Sequence, residues 1–274
     1  MNQKDLTVIE HIEELRKRLF IVAVFFVLAM IAAFFIAKPL IVYLQSTGEN
    51  YFGSLHAFNV TAPLAIYFQV IFLIALVLSL PVLLYQLWSF ITPGLKDTER
   101  KATLNYIPYS VILFLAGLSF SYFVLFPYVM KYMMQLSNDL SIEQTVGINE
   151  YFSFLFKLTL PFGFLFQLPI VLLFFARIGV LNPDLMVKFR KYAYFGLFVM
   201  AAIIAPPELI SHLIVSVPMF ILYEISIMIS RVGYRKYIKA ESLKQQEAQE
   251  EADRAQVERL LAEQRRQVEE MNNQ

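Results

Sequence analysis

The chain has 274 residues, of which 58% are hydrophobic and only 16% charged, with a formal net charge of +1. A soluble core of this length could not shelter 26 Phe and 15 Tyr behind so little charged surface. The absence of Cys excludes a disulfide framework or thiol chemistry, and the mean hydropathy of +0.58 points to lipid as part of the solvent.

Runs of about 18–20 nearly uncharged residues mark helices that cross a hydrocarbon layer about 30 Å thick. Before the first run, Thr7-Val8-Ile9-Glu10 has the form of a capping box, which starts a helix at Thr7. At 100° per residue, Val8, Ile12, Leu15 and Leu19 then share one stripe, flanked by His11 and Arg18, with Glu14 just beyond. This predicts an amphipathic helix at the membrane surface that runs into the first span, Leu19–Ala37. Arg16, Lys17 and Arg18 resemble the basic start of a cleaved leader. The apolar run is too long for one, however, and no small-residue cleavage site follows it.

The second span is Ile66–Leu87, followed by FITPGLKDTERK at residues 90–101. There Pro93-Gly94 stops the helix, and Asp97 or Thr98 caps the next one. Glu99 then falls in a first turn, where the helix dipole favours an acid. The third span is Tyr106–Phe126 and the fourth is Phe152–Ala176. Lys157 lies about a turn into the fourth and can snorkel outward. Gln167 lies about 15 Å deeper, bracketed by Pro161 and Pro169, which loosen the backbone ladder. Its amide can satisfy a freed carbonyl or hydrogen-bond a guest helix.

The fifth span, Tyr192–Ala205, is only about 21 Å long and is stopped by Pro206 and Pro207. Glu208 follows, where a new helix N-terminus would welcome its charge. The sixth, Leu213–Ile229, reaches about 25 Å and carries Glu224 beside Tyr223. An internal ion pair or hydrogen bond to a neighbouring helix would accommodate that carboxylate. Both spans fall short of the hydrocarbon thickness, so snorkelling flanks or a thinned bilayer must make up the difference. From Ala240 onward the chain is rich in Gln, Glu, Ala and Arg. This predicts a charged, partly helical or disordered appendage at 240–274, behind a membrane domain at 1–239.

Lys and Arg alternate along the connections and so set the orientation. Lys4, Arg16, Lys17 and Arg18 precede the first span; Lys96, Arg100 and Lys101 follow the second; Arg177, Lys188, Arg190 and Lys191 follow the fourth; and Arg231, Arg235, Lys236 and Lys239 follow the sixth. The opposite connections hold little beyond Lys38 and Lys131. The expectation is an all-α membrane protein with six transmembrane helices and both termini cytoplasmic.

His11, His56 and His212 are isolated, and neither a metal-ligand spacing nor a glycine-rich phosphate loop occurs. No enzymatic activity, cofactor or nucleic-acid partner is expected. Lys157, Gln167 and Glu224 are sparse intramembrane polarity, which keeps a small-molecule secondary transporter as the rival reading. The richer chemistry is cytoplasmic. Glu14 and Glu99 sit at the same membrane surface amid basic residues. A carboxylate accepts a planar guanidinium bidentately, so the two could hold two adjacent arginines of a ligand. Internal pairing is the other reading, Glu14 with Arg18 at i,i+4 and Glu99 with Lys96 or a neighbour.

The order of several segments resembles the TatC family of twin-arginine translocase receptors. They are HIEELRKRL before the first span, LYQLWSFITPGLKDTERK around the end of the second, GLSFSYFVLFP, FGFLFQLP, RIGVLNP, APPELISH and VPMFILYEIS. The resemblance implies a curved, cup-like bundle that receives folded precursor proteins bearing an Arg-Arg signal peptide. It implies that Glu14 and Glu99 contact the twin arginines, with His11, Leu15, Arg16, Arg18, Phe90, Pro93, Arg100 and Lys101 shaping that surface. The wall near Gln167 and Glu224 would meet the rest of the signal. The short fifth and sixth helices, with Pro206, Pro207 and Glu208, would meet a single-span TatA-type or TatB-like partner. Assembly into a homo-oligomer in the cytoplasmic membrane and use of the proton gradient are implied likewise. Two departures stand out: Gln167 replaces a glutamate common in the family, and Ala205-Pro206-Pro207-Glu208 replaces T-P-P-D. The glutamine resembles members that work with a single TatA-type partner.

Overall fold

The computed structural model describes residues 8–91, 106–142, 145–206 and 208–272, the side chains of 8–11, 91, 106 and 262–272 excepted. The helices are α1 (Val8–Phe52), α2 (Ala62–Ile91), α3 (Tyr106–Phe120), α4 (Phe126–Asp139), α5 (Ile148–Leu165), α6 (Leu168–Arg177), α7 (Pro183–Lys188), α8 (Arg190–Ile204) and α9 (Leu209–Asn272). A π-helical turn, Ser121–Leu125, joins α3 to α4. Pro127 follows within the first turn of α4; its ring collides with the carbonyl four residues back and it donates no N–H, which favours a widened turn there. Pro169 acts similarly between α5 and α6, where Phe166 and Gln167 turn out of the regular ladder and Gln167 N–H bonds back to Phe164 O at 2.9 Å.

Contacts between helices define two ends of the bundle. At one end Arg18 of α1 reaches Gln86 of α2, Trp88 of α2 meets Phe174 of α6 edge-on at 4.0 Å, and Tyr223 of α9 donates to the Met186 carbonyl of α7 at 3.2 Å. At the other end Tyr151 of α5 donates to Leu44 O of α1 at 2.8 Å, and Tyr132 of α4 donates to Glu208 at the start of α9. There too the connections pair: His56 N–H donates to Val146 O at 3.1 Å and Ile148 N–H to His56 O at 2.8 Å. The described chain therefore passes six times between the two ends: α1, α2, α3–α4, α5–α6, α8 and α9. Five of these passes, all but α8, are long and apolar enough to cross a membrane. α8 has 15 residues, about 22 Å of helix, so the short fifth pass anticipated from the sequence is present as a helix below spanning length.

In lipid, apolar burial does not by itself drive helices together, so close backbone approach and packing must do so. α1 presents Ala29, Ala33 and Ala37 at four-residue spacing, all buried against the bundle, and α2 offers buried Val70 and Ala75. α3 and α5 approach through Gly117, where an added Cβ would stand 2.6 Å from the Phe162 carbonyl. α9 lies on α6 through Gly233, whose Cβ would stand 2.8 Å from the Leu173 carbonyl. The centre is aromatic, with Phe126, Tyr151, Phe152 and Phe162 fully buried and Phe126 and Tyr151 edge-to-face at 5.7 Å. α1 leans chiefly on α2 and α8 chiefly on α9, so these two helices form the edges. Leu19, Phe20, Phe35, Tyr192, Phe195 and Ile203 on those edges stay exposed, as lipid-facing side chains do.

Candidate functional site

The N-terminal turns of α1 carry the acidic and basic residues anticipated there. α1 is one unbroken helix, so the amphipathic stretch forms the first turns of the span and does not turn aside to lie flat. Ile12, Leu15 and Leu19 are exposed together, which places the predicted apolar stripe on an outward face. Glu14 and Arg18, one turn apart, pair: Arg18 Nε donates to Glu14 Oε1 at 3.0 Å, and Nη2 donates to the same oxygen. Arg18 Nη1 reaches Gln86 Oε1 of α2 at 3.4 Å. Both side chains remain partly open, Arg18 at 20% and Glu14 at 25% exposure. Arg16 makes a separate, exposed pair with Glu13 at 3.2 Å.

Phe90 is partly buried near the end of α2, two residues after Trp88. Pro93, Glu99, Arg100 and Lys101 lie outside the described residues, as does the His11 side chain. α2 ends at Ile91, five residues after Gln86, at the bundle end that carries Glu14. Gln167 sits at the break between α5 and α6 and donates through Nε2 to Ser110 O of α3 at 2.9 Å. It lines a cavity of about 70 Å³ with Leu84, Trp88, Ser110 and Phe174. The amide thus satisfies a backbone carbonyl, one of the two roles open to it in sequence.

Glu224 also has internal partners. Arg190 Nη2 donates to Glu224 Oε2 at 2.8 Å, Arg190 Nε lies 2.7 Å from Oε1, and Tyr194 donates its hydroxyl to Oε1. This cluster fastens the start of α8 to α9. At the opposite end Glu208 immediately precedes α9, accepts from Tyr132 and accepts from Ser211 Oγ at 3.1 Å. Pro206 is partly buried there, while Pro207 lies outside the described residues. One turn further, His212 has a buried Nε2 with no partner among the described residues, and its ring lies 4.1 Å from that of Phe198. In sequence it is an isolated histidine; only its four-residue spacing from Glu208 hints at this corner. Among the described residues no cluster of His, Asp and Glu could hold a metal ion.

The fold, six antiparallel helical passes with a charged cluster at one end, defines a polytopic membrane protein. The chain belongs to the family of Sec-independent protein translocase proteins (TatC), whose pattern it matches over residues 10–218. It is similar to the Sec-independent protein translocase protein TatCy of Bacillus subtilis (strain 168), at 57% identity over 240 residues, 88% of this chain and 94% of that one. It is similar also to the Sec-independent protein translocase protein TatC of Halalkalibacterium halodurans, at 49% identity over 251 residues, 92% of this chain and 99% of that one. A crystal structure of the twin arginine translocase receptor TatC superposes with a TM-score of 0.74 at 33% identity, covering 82% of this chain and 99% of that one. The resemblance read from the motifs and the all-helical architecture are both borne out. The chain is a membrane component of a protein translocase.

Proposed function

We propose that this chain is the receptor and core subunit of a twin-arginine translocase, residing in the bacterial cytoplasmic membrane with both termini cytoplasmic. In this reading residues 1–239 form the membrane domain and 240–274 a cytoplasmic appendage. Folded precursor proteins dock through an Arg-Arg signal peptide, whose guanidinium groups take Glu14 and Glu99. His11, Leu15, Arg16, Arg18, Phe90, Pro93, Arg100 and Lys101 shape the surrounding surface. The apolar part of the signal inserts along the wall near Gln167. A single-span TatA-type subunit, or a TatB-like one, assembles against α8, α9 and the corner at Pro206, Pro207 and Glu208. Several copies of the chain work together, and the proton gradient drives export. The chain itself carries out no bond-making chemistry and needs no cofactor.

The observation that carries this reading is the Glu14 carboxylate, a quarter exposed at the bundle end where α2 finishes. A carboxylate suits a planar guanidinium better than an ammonium group, because the fork supplies two parallel donors. The small-molecule transporter, centred on Lys157, Gln167 and Glu224, loses its two deeper groups to internal partners. Crosslinking an Arg-Arg signal peptide to the wild type and to the Glu14→Ala/Glu99→Ala variant tests the reading. Binding should fall sharply in the variant and for a Lys-Lys peptide; unchanged binding in both comparisons would refute it.

A further inference from the structure

Glu14 already holds a guanidinium. Two nitrogens of Arg18 converge on Oε1, while Oε2 has no partner among the described residues. A bidentate fork from an incoming arginine needs both oxygens, so it cannot form fully while Arg18 stays in place. Arg18 also has somewhere to go, because its Nη1 already reaches Gln86 Oε1 across on α2. We propose that Arg18 is a resident competitor: it occupies Glu14 in the empty receptor and swings toward Gln86 when a signal arginine takes the carboxylate. This rests on the reading of Glu14 as a signal-arginine acceptor and concerns the regulation of that same site.

The exchange has a consequence for specificity. A lysine ammonium is a point donor and can use the open Oε2 without moving Arg18. A guanidinium gains its second bond only by displacing Arg18. Removing the competitor therefore helps an arginine signal and leaves a lysine signal where it was, apart from the lost positive charge. Specificity here is a difference between two affinities, and Arg18 diminishes one of them.

The test measures binding of fluorescent Arg-Arg and Lys-Lys signal peptides to the full chain in nanodiscs. Wild type is compared with Arg18→Gln, Glu14→Gln and Lys17→Gln, the last removing the same charge from an exposed neighbour. Relative to Lys17→Gln, Arg18→Gln should bind the Arg-Arg peptide about two- to fivefold more tightly, the range expected for releasing a partly exposed ion pair. The Lys-Lys peptide should change no more than it does in Lys17→Gln. Arg-Arg binding that is weaker or unchanged in Arg18→Gln overturns the competitor and makes Arg18 a positioning residue. That result differs from failure of the receptor reading, which shows as Arg-Arg binding unaffected by Glu14→Gln. Equal helicity and thermal stability of the variants in the nanodisc keep the comparison valid.

Discussion

Arg190, the first residue of α8, and Glu224, on α9, face each other across the edge of the bundle with Nη2 2.8 Å from Oε2 and Nε 2.7 Å from Oε1. α8 has few other neighbours than α9 and the short α7, so this pair and Tyr194 carry much of what holds its N-terminal end. Both charged side chains are more than a third exposed, at 39% and 36%, which limits the pair to about 1 kcal/mol or less. Glu224→Gln should lower thermal stability by that order and loosen α8. The exchanged pair Arg190→Glu/Glu224→Arg should restore part of it, read as protection of α8 in hydrogen exchange.

At the α3–α5 crossing the backbone itself is the limit. A Cβ at Gly117 would stand 2.6 Å from the Phe162 carbonyl, and a carbonyl within a helix cannot swing aside as a side chain can. Gly117→Ala should cost about 1–3 kcal/mol, and Gly117→Leu more. Thermal unfolding in detergent, followed by circular dichroism, measures both. Gly196→Ala, on a glycine with nothing within 4 Å of its added Cβ, should leave the melting temperature unchanged or raise it slightly.

Gln167 donates to Ser110 O and thereby ties the α5–α6 break to α3. Gln167→Leu removes the donor and should cost about 1 kcal/mol, with a local rise in exchange at residues 166–168. Gln167→Glu should cost at least as much in its ionised form, because a carboxylate presents only acceptors to that carbonyl. If both variants melt with the wild type, the hydrogen bond contributes nothing.

A short α8 matters for assembly in the proposed translocase. Its 15 residues fall about 8 Å short of a 30 Å slab, and the mismatch would favour a partner helix that shares the thinned lipid. Inserting four Leu into α8 should weaken co-purification of a single-span partner and reduce export. Equal association would remove the mismatch from the account.

The motifs themselves made the family legible, because their order along six apolar runs is hard to meet by chance. The helical passes were legible for a simpler reason: lipid forces long apolar stretches into helices whatever they pack against. Their limits were less so. α1 continues to Phe52 and α4 to Asp139, past the apolar runs, because tertiary contacts such as Tyr151 with Leu44 and Tyr132 with Glu208 support the ends. The lone Pro161 stays inside α5, whereas Pro169 marks the break; periodicity alone does not distinguish them.

The site shows the same division. Sequence alone determined which side chains carry charge, and that Glu14 and Arg18, four apart on a helix, lie within reach of each other. Pairing of Glu224 with a neighbouring helix was foreseeable, since a carboxylate in lipid must find a partner. That the partner is Arg190, that Gln167 finds Ser110, and that Arg18 reaches Gln86 are decisions of the tertiary structure. Each joins residues far apart in the chain, and a side chain's periodicity fixes its face on one helix while only packing fixes what that face meets.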